Sequence, residues 1–327
     1  DQIGIPWDLN KIAQLLFFIS LSATVVCLIC ARTKAKRWWI GGLGLLLSAV
    51  LLTGYFIPVS VPVMDLSAAS ETADTTYYDM IHKDCQKDEA ADFRVKKYQL
   101  DFSVGLNLTG SAKVYVDRSE LKSYRFTLYH GYKVKQVTDQ TGAALDFRRE
   151  YDYVTVTRGG AAVEYLCLEY TGKSPKYYSS YAGVCLPANF AYYPIPGYRE
   201  LFKDNFYGFI DCSLPYDTAF DVHCSGRKQM YCNLAARGDN HFAGNARSIT
   251  LLSGYYDTLK LNDTLVVYPK YADGEIRARI KKNMGTFTKE HRDIRTIFIM
   301  DADNLTPYEH LRSYDGYVVT NSMIDME

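Results

Sequence analysis

The chain opens with two long apolar runs, free of charge and separated by a short basic cluster. Ile12 to Ala31 is twenty residues with no formal charge, and Trp38 to Met64 is twenty-seven more. At about 1.5 Å of rise per residue, about twenty residues cross a hydrocarbon core of ~30 Å. Both runs therefore predict membrane-spanning helices, about 12–31 and 38–57, which satisfy their own backbone polar groups. Between them lie Arg32, Lys34, Lys36 and Arg37 with no acid. Short loops rich in Lys and Arg stay in the cytoplasm. The 32–37 loop is thus expected inside, and residues 65–327 outside, a cell membrane. A signal peptide cleaved near Ser67-Ala68-Ala69-Ser70 is the competing reading of the second run. Its length argues against that, since signal apolar regions span about 7–15 residues. Trp38, Trp39, Tyr55 and Phe56 sit near the ends of the second run, where interface aromatics belong. Gly41, Gly42, Gly44 and Ser48 form a small-residue face suited to another helix. A lone hairpin offers one partner, so further transmembrane helices are expected. The chain starts at Asp1 rather than Met and reads as a fragment.

Beyond the hairpin, residues 65–92 are polar and mixed in charge, and predict a stalk with a helical turn around Tyr77 to Lys87. From Phe93 the pattern alternates with period two. Strands are predicted over Phe93–Phe102, Ser111–Val116, Tyr124–Tyr129, Tyr132–Val137, Tyr153–Thr157 and Val163–Tyr170, with a turn at Asp139–Gly142. After an interruption at Lys173–Asp204 they resume at Phe206–Cys212, Thr218–Cys224, Gln229–Leu234, Ser248–Leu252, Tyr255–Leu261 and Leu265–Tyr268. Past Pro269 the composition changes. Ala272–His291 predicts a helix with Ile276, Ile280 and Met284 on one face, followed by a strand at Ile294–Met300. Thr306–Arg312 reads as a short helix and Tyr317–Thr320 as a strand. The expected fold is a transmembrane α-helical hairpin, then a mainly antiparallel β sandwich or saddle domain, then the beginning of an α/β domain. The expected boundaries are 1–64, 65–92, 93–269 and 270–327.

The interruption is rich in Tyr, Pro and Gly. Tyr177, Tyr178, Tyr181, Tyr192, Tyr193 and Tyr198 either form an aromatic rim for a ligand or cover a core edge with their hydroxyls in water. Overall charge is balanced, with 37 basic and 37 acidic residues, which argues against a nucleic-acid partner. Of eight cysteines, Cys27 and Cys30 fall in the first span, where C-x-x-C lacks a redox fold around it. Cys224 and Cys232 bracket an expected hairpin and are the first candidate disulfide, although six outer cysteines allow 15 connectivities.

The six histidines show no H-E-x-x-H, and neither a G-x-S-x-G elbow nor a phosphate loop occurs. Glycosylation triplets stand at Asn107, Asn262 and Asn304 and are short enough to arise by chance. These residues by themselves carry no catalytic motif, no cofactor and no metal.

The order of segments nevertheless resembles the N-terminal domain of the aminopeptidase N family of zinc metallopeptidases, the gluzincins. The likeness runs from Phe93-Arg94-Val95-Lys96-Lys97-Tyr98 through Leu108 to Val114, Phe126 to Tyr129, Leu168 to Gly172, Leu186-Pro187 and Tyr193-Pro194. It continues at Tyr231-Cys232-Asn233-Leu234 and Ile249 to Tyr256. The resemblance implies a β-domain ahead of a thermolysin-like domain whose start is Ala272 to Met300. The family's zinc ligands are expected beyond Glu327, so zinc enters only if a longer parent supplies H-E-x-x-H and a downstream Glu. The family's amine-binding glutamate has no counterpart beside Asp315-Gly316-Tyr317, and Tyr181-Ala182 stand where an acidic residue is often found. With membrane helices in front, the arrangement is similar to bacterial ABC-transporter permeases that carry a peptidase-like ectodomain. That implies a lipid bilayer, further helices or an ATPase subunit, and peptides as partners. The alternative is a non-enzymatic cell-surface module whose Tyr/Pro loop binds a glycan or a protein.

Overall fold

The structure, a computed structural model, describes residues 9–31, 33–53, 73–181, 183–203, 208–227, 229–270, 274–300 and 311–320. It separates into a helical hairpin within Ile5–Val63 and a β-rich unit that follows.

The hairpin consists of helices Leu9–Cys30 and Lys34–Thr53. Mean hydropathy is 2.4 over Ile12–Cys30 and 1.3 over Lys34–Thr53, so by length and composition each is apolar enough to cross a membrane. The basic loop is shorter than the expected 32–37, because Lys34, Lys36 and Arg37 already lie on the first turns of the second helix. Tyr55, Phe56 and the rest of the expected span to Met64 fall outside the described residues. The small-residue face is used for packing, but not by all its members. A Cβ on Gly44 would collide with Thr24, and one on Gly41 would touch Leu28 at 3.6 Å. Ser48 is buried and its hydroxyl lies 3.3 Å from that of Ser20. Gly42 faces open space.

In the β-rich unit a seven-stranded sheet carries the main core. Its spatial order is Ala235–Gly238, His241–Ala246, Thr218–Ser225, Val95–Val104, Leu108–Val116, Tyr165–Gly172, Tyr132–Thr138. Pairing is antiparallel except where Val95–Val104 runs parallel to Thr218–Ser225. The period-two pattern sorts the faces. Tyr98, Leu100, Phe102 and Val104 point inward, while Asp101 and Ser103 are exposed. A four-stranded sheet of Ile195–Pro196, Ser123–Thr127, Tyr153–Thr157 and Phe147–Glu150 contributes Tyr124, Phe126, Val154 and Val156 to the same core. The Asp139–Gly142 turn forms as expected: the Asp139 carboxylate accepts from the Thr141 and Ala143 amides at 2.8 and 3.1 Å, and Gly142 adopts φ 85°.

Four expectations are corrected. The polar segment 73–92 is no free stalk. It forms a π-helical turn at Thr76–Ile81 and a 3₁₀ turn at Lys83–Cys85, with Asp74 and Tyr78 buried. The Gln86 amide donates to the Phe202 carbonyl at 3.0 Å, and Glu89 bridges to Tyr198. No hairpin links Cys224 to Cys232, because Thr218–Ser225 pairs with His241–Ala246 and Tyr231–Cys232 pairs with Leu251–Ser253 in another sheet. The expected boundary near 270 falls inside a five-stranded sheet ordered Tyr256–Leu261, Thr264–Pro269, Thr296–Ile299, Tyr317–Thr320, Leu311–Tyr314. Leu311 and Arg312 are strand rather than helix, and residues 306–310 of that expected helix are outside the described residues.

The three central strands of this sheet, Thr264–Pro269, Thr296–Ile299 and Tyr317–Thr320, are buried on both faces. Val267, Phe298 and Val319 pack with Cys185, Tyr231 and Leu252 on one side. Val266, Ile297, Ile299 and Val318 pack on the other against Ile280 and Met284 of the Gly274–Glu290 helix. Both faces being apolar explains why these central strands read as continuous hydrophobic runs.

Candidate functional site

The Tyr/Pro segment has a structural role that the sequence left open. Tyr177, Tyr178, Tyr192 and Tyr193 are at most 4% exposed, so they form no rim. The hydroxyls of Tyr177 and Tyr192 are not in water either. Tyr192 donates to the Ile249 carbonyl at 2.9 Å, and Tyr177 accepts from the Asn189 amide at 3.1 Å. Core rings in turn hold the loop backbone: Tyr98 donates to the Pro194 carbonyl at 2.8 Å, and Tyr170 to that of Tyr192 at 2.9 Å. The loop is therefore a plug in which Tyr177 and Tyr192 bond their buried hydroxyls, as burial demands. Tyr181 and Tyr198 are half-buried. Tyr181 is fixed through its backbone, donating to Gly105 at 2.8 Å and accepting from Arg227. Tyr198 lies under Lys87 and Arg125, 5.3 and 5.5 Å from its ring centre.

The densest chemistry lies where the segment after residue 73 docks. His130 sits between two buried carboxylates. Its Nδ1 is 3.2 Å from Asp152 Oδ1, its backbone N–H donates to that oxygen at 2.6 Å, and its Nε2 is 3.9 Å from Asp74 Oδ1. Tyr129 donates its hydroxyl proton to Asp74 Oδ1 at 2.7 Å, and Tyr77 stacks on the His130 ring at 3.5 Å and 13°. The Tyr78 hydroxyl is 3.3 Å from His130 Nδ1. His82 packs 4.2 Å from Tyr77 and 4.1 Å from Tyr151.

Local backbone chemistry aims Asp152 inward. The turn joining Phe147–Glu150 to Tyr153–Thr157 places Tyr151 at φ 55°, a strained conformation for a side chain of that size. Arg149 holds this turn by donating to the carbonyls of Tyr151, Tyr132 and Leu128 at 2.9, 2.9 and 2.8 Å. Burial lowers its pKa, with the Asp152 charge opposing. Burial also raises the Asp74 carboxyl from 3.8 to about 6, partly offset by the Tyr129 hydrogen bond and by His130 and Lys176. Burial and the neighbouring Asp74 charge push Tyr129 well up. Of the two, Asp74 is the group that takes up or releases a proton near neutral pH, at about 6.

No single sequence motif holds this cluster. Asp74 lies in the presumed stalk, His130 follows a strand end, and Asp152 occupies a hairpin turn. Their approach depends on tertiary packing, so sequence spacing alone did not reveal it.

A second arrangement lies on the outer face of the seven-stranded sheet. A cleft of about 400 Å³ is lined by Asp101, Ser103, Thr109, Ser111, His223 and Asp239, among others. His223 Nδ1 is 3.9 Å from Asp101, and its ring is 4.6 Å from that of His241. His241 Nε2 is 2.8 Å from Asp221, whose carboxyl this hydrogen bond holds below its ordinary range.

Neither place fits zinc. Among the described residues, no group of three or more His, Cys, Asp or Glu could hold a metal ion. Cys224 and Cys232 are buried free thiols. Burial is the main cause that pushes Cys232 up to about 12 and Cys224 higher still.

No protein-family model matches the chain, and no curated protein does. Solved structures do match. Yeast LTA4 hydrolase in complex with bestatin aligns over 72% of this chain and 42% of its own, at 11% identity and TM-score 0.48. The M1 zinc metallopeptidase from Deinococcus radiodurans aligns over 72% and 62%, at 12% identity and TM-score 0.43. That metallopeptidase as a mutant bound to a Tyr-Ser-Ala substrate gives 73% and 63%, at 14% and 0.41. The chain thus spans about two fifths to three fifths of the length of these proteins. Likenesses at these identities and scores assign no family.

Proposed function

We propose that this chain is a membrane-anchored piece of a transporter-associated protein, with its β-rich unit outside the cell for binding or processing peptides. The observation that carries the anchor is the pair of apolar helices, Leu9–Cys30 and Lys34–Thr53, with Lys34, Lys36 and Arg37 beside their connection. The peptide-handling half rests on the ordered motifs from Phe93 to Tyr256. An ATPase subunit and further membrane helices belong to this reading as partners. Zinc chemistry would need residues beyond those described here, since none of these form a ligand set.

Sidedness is tested with Gly160→Cys, at a position where a Cβ meets nothing within 4 Å. A membrane-impermeant maleimide should label the variant above wild type in intact cells. Labelling only after lysis would refute the outward placement. Hydrolysis of an aminoacyl-aminocoumarin by the purified chain supplied with zinc would refute its lack of a zinc site.

A second reading is favoured by the outer cleft: a surface module that binds a glycan or a protein through Asp101, His223 and Asp239 in place of the Tyr/Pro loop. Asp101→Asn with Asp239→Asn should then abolish any glycan binding that wild type shows, and unchanged binding would remove this reading.

A further inference from the structure

The second helix carries a feature that packing within the hairpin does not use. Ala35, Trp38, Trp39, Gly42, Leu43 and Leu46 recur at i, i+3, i+4, i+7, i+8 and i+11, and so share one face. This face points away from the first helix, since Gly41, Gly44 and Ser48 make the contacts there. Trp38 and Trp39 are 82% and 81% exposed, and Gly42 leaves a notch beneath them. Trp38, Trp39, Gly42, Leu43 and Leu46 line a groove of about 350 Å³.

Charge stands at one end of this groove only. Lys34 and Lys36 flank Ala35, each about 100° around the helix from it. Arg37 is committed elsewhere, its Nε donating to the Ala31 carbonyl at 3.0 Å. Among the described residues the helix carries no acid and no further base down to Thr53. A ligand that fits must therefore be long and apolar, with one anionic end placed at the level of the lysines.

We propose that this groove is a binding site for an anionic phospholipid, with an acyl chain in the Gly42 notch beneath the indoles and the headgroup phosphate at the level of Lys34 and Lys36, which flank the face on its two sides. The proposal rests on the membrane-anchored reading. It goes beyond general contact with a bilayer, because it specifies one helix face, one leaflet and one headgroup charge. The basic end is the cytoplasmic one, and that leaflet is where anionic lipids attract basic residues beside a membrane helix. Tryptophan suits this level of the bilayer, with an apolar ring and a polar N–H.

The test uses the full chain with Trp7→Phe, leaving Trp38 and Trp39 as the only indoles. It is reconstituted in phosphatidylcholine vesicles containing a minor fraction of brominated phosphatidylglycerol or, separately, brominated phosphatidylcholine. Flotation of the vesicles reports anchoring, and bromine quenching reports which lipid lies against the indoles. Brominated phosphatidylglycerol should quench more strongly at equal fraction. Each of Lys34→Gln and Lys36→Gln should reduce the preference about fivefold. Gly42→Leu, at a position where a Cβ meets nothing within 4 Å, fills the notch and should abolish the preference with both lysines intact.

Equal quenching by both lipids would overturn the site and leave the anchor standing. A preference that survives Gly42→Leu would also overturn it, in favour of diffuse attraction to the basic residues. Flotation without quenching would mean that protein, not lipid, covers the face. Failure to float would refute the anchor itself.

Discussion

Asp74 carries a carboxyl that the fold keeps from water while Tyr129, His130 and Lys176 partly offset the cost. Its folded pKa, about 6, lies above the ordinary 3.8, so the folded state binds this proton more readily than the unfolded chain. The corresponding stabilisation is complete below the ordinary value and is lost as pH rises through about 6. The difference amounts to about 3 kcal/mol. Asp74→Asn keeps an acceptor for Tyr129 and removes the titrating group. Urea unfolding of the variant should vary less with pH than that of wild type, by up to about 3 kcal/mol between about pH 4 and about pH 7.5. Equal pH dependence in the two proteins would show that Asp74 does not titrate as described. Gly44 answers to a different force, since a side chain there meets Thr24 on the facing helix. In a background with Cys27→Ala and Cys30→Ala, Ser20→Cys and Ser48→Cys should cross-link readily, because their hydroxyls are 3.3 Å apart. Adding Gly44→Val should suppress that cross-link, as read on a non-reducing gel. The sequence exposed Gly44 through its small-residue face but hid Asp74, because only packing brings a carboxyl near His130.

Elements were legible where the apolar pattern was strong, alternating in Tyr153–Thr157 and continuous in Tyr317–Thr320. Tyr153–Thr157 and Tyr317–Thr320 form with the expected ends. Phe147–Glu150 escaped because Arg148, Arg149 and Glu150 give it no apolar stripe. Ala235–Gly238 escaped because it is exposed throughout and pairs only at the rim of its sheet. Two-residue strands such as Ile195–Pro196 hold too few residues to show any period. The parallel pairing of Val95–Val104 with Thr218–Ser225 joins segments far apart in sequence, which no local pattern encodes. The Gly274–Glu290 helix was legible through its spacing, and Ile280 and Met284 are indeed fully buried, while the Ile276 side chain is outside the described residues. Met284→Ala should cost about 2–5 kcal/mol in urea unfolding, since it empties a site closed by Val266, Ile297 and Val318. A cost below about 1 kcal/mol would mean that the helix does not seal that face.

At the scale of the whole molecule, stability comes from apolar burial and bonded phenols rather than from covalent cross-links. All eight cysteines are free. Denatured chain should therefore titrate eight thiols with Ellman's reagent, and a reductant should leave the melting temperature unchanged. Recovery of only six thiols would reinstate one disulfide, with Cys224 and Cys232 the first pair to map. The five-stranded sheet has a further consequence for anyone who trims the gene. Ending a recombinant product just after Pro269 would strip Thr264–Pro269 of its parallel neighbour Thr296–Ile299 and of the helix that roofs Val266 and Tyr268. Such a truncation would offer a bare greasy ribbon to other copies, and inclusion bodies are the expected harvest. Stopping points for soluble production belong after Thr320, where all five ribs of the sheet are retained.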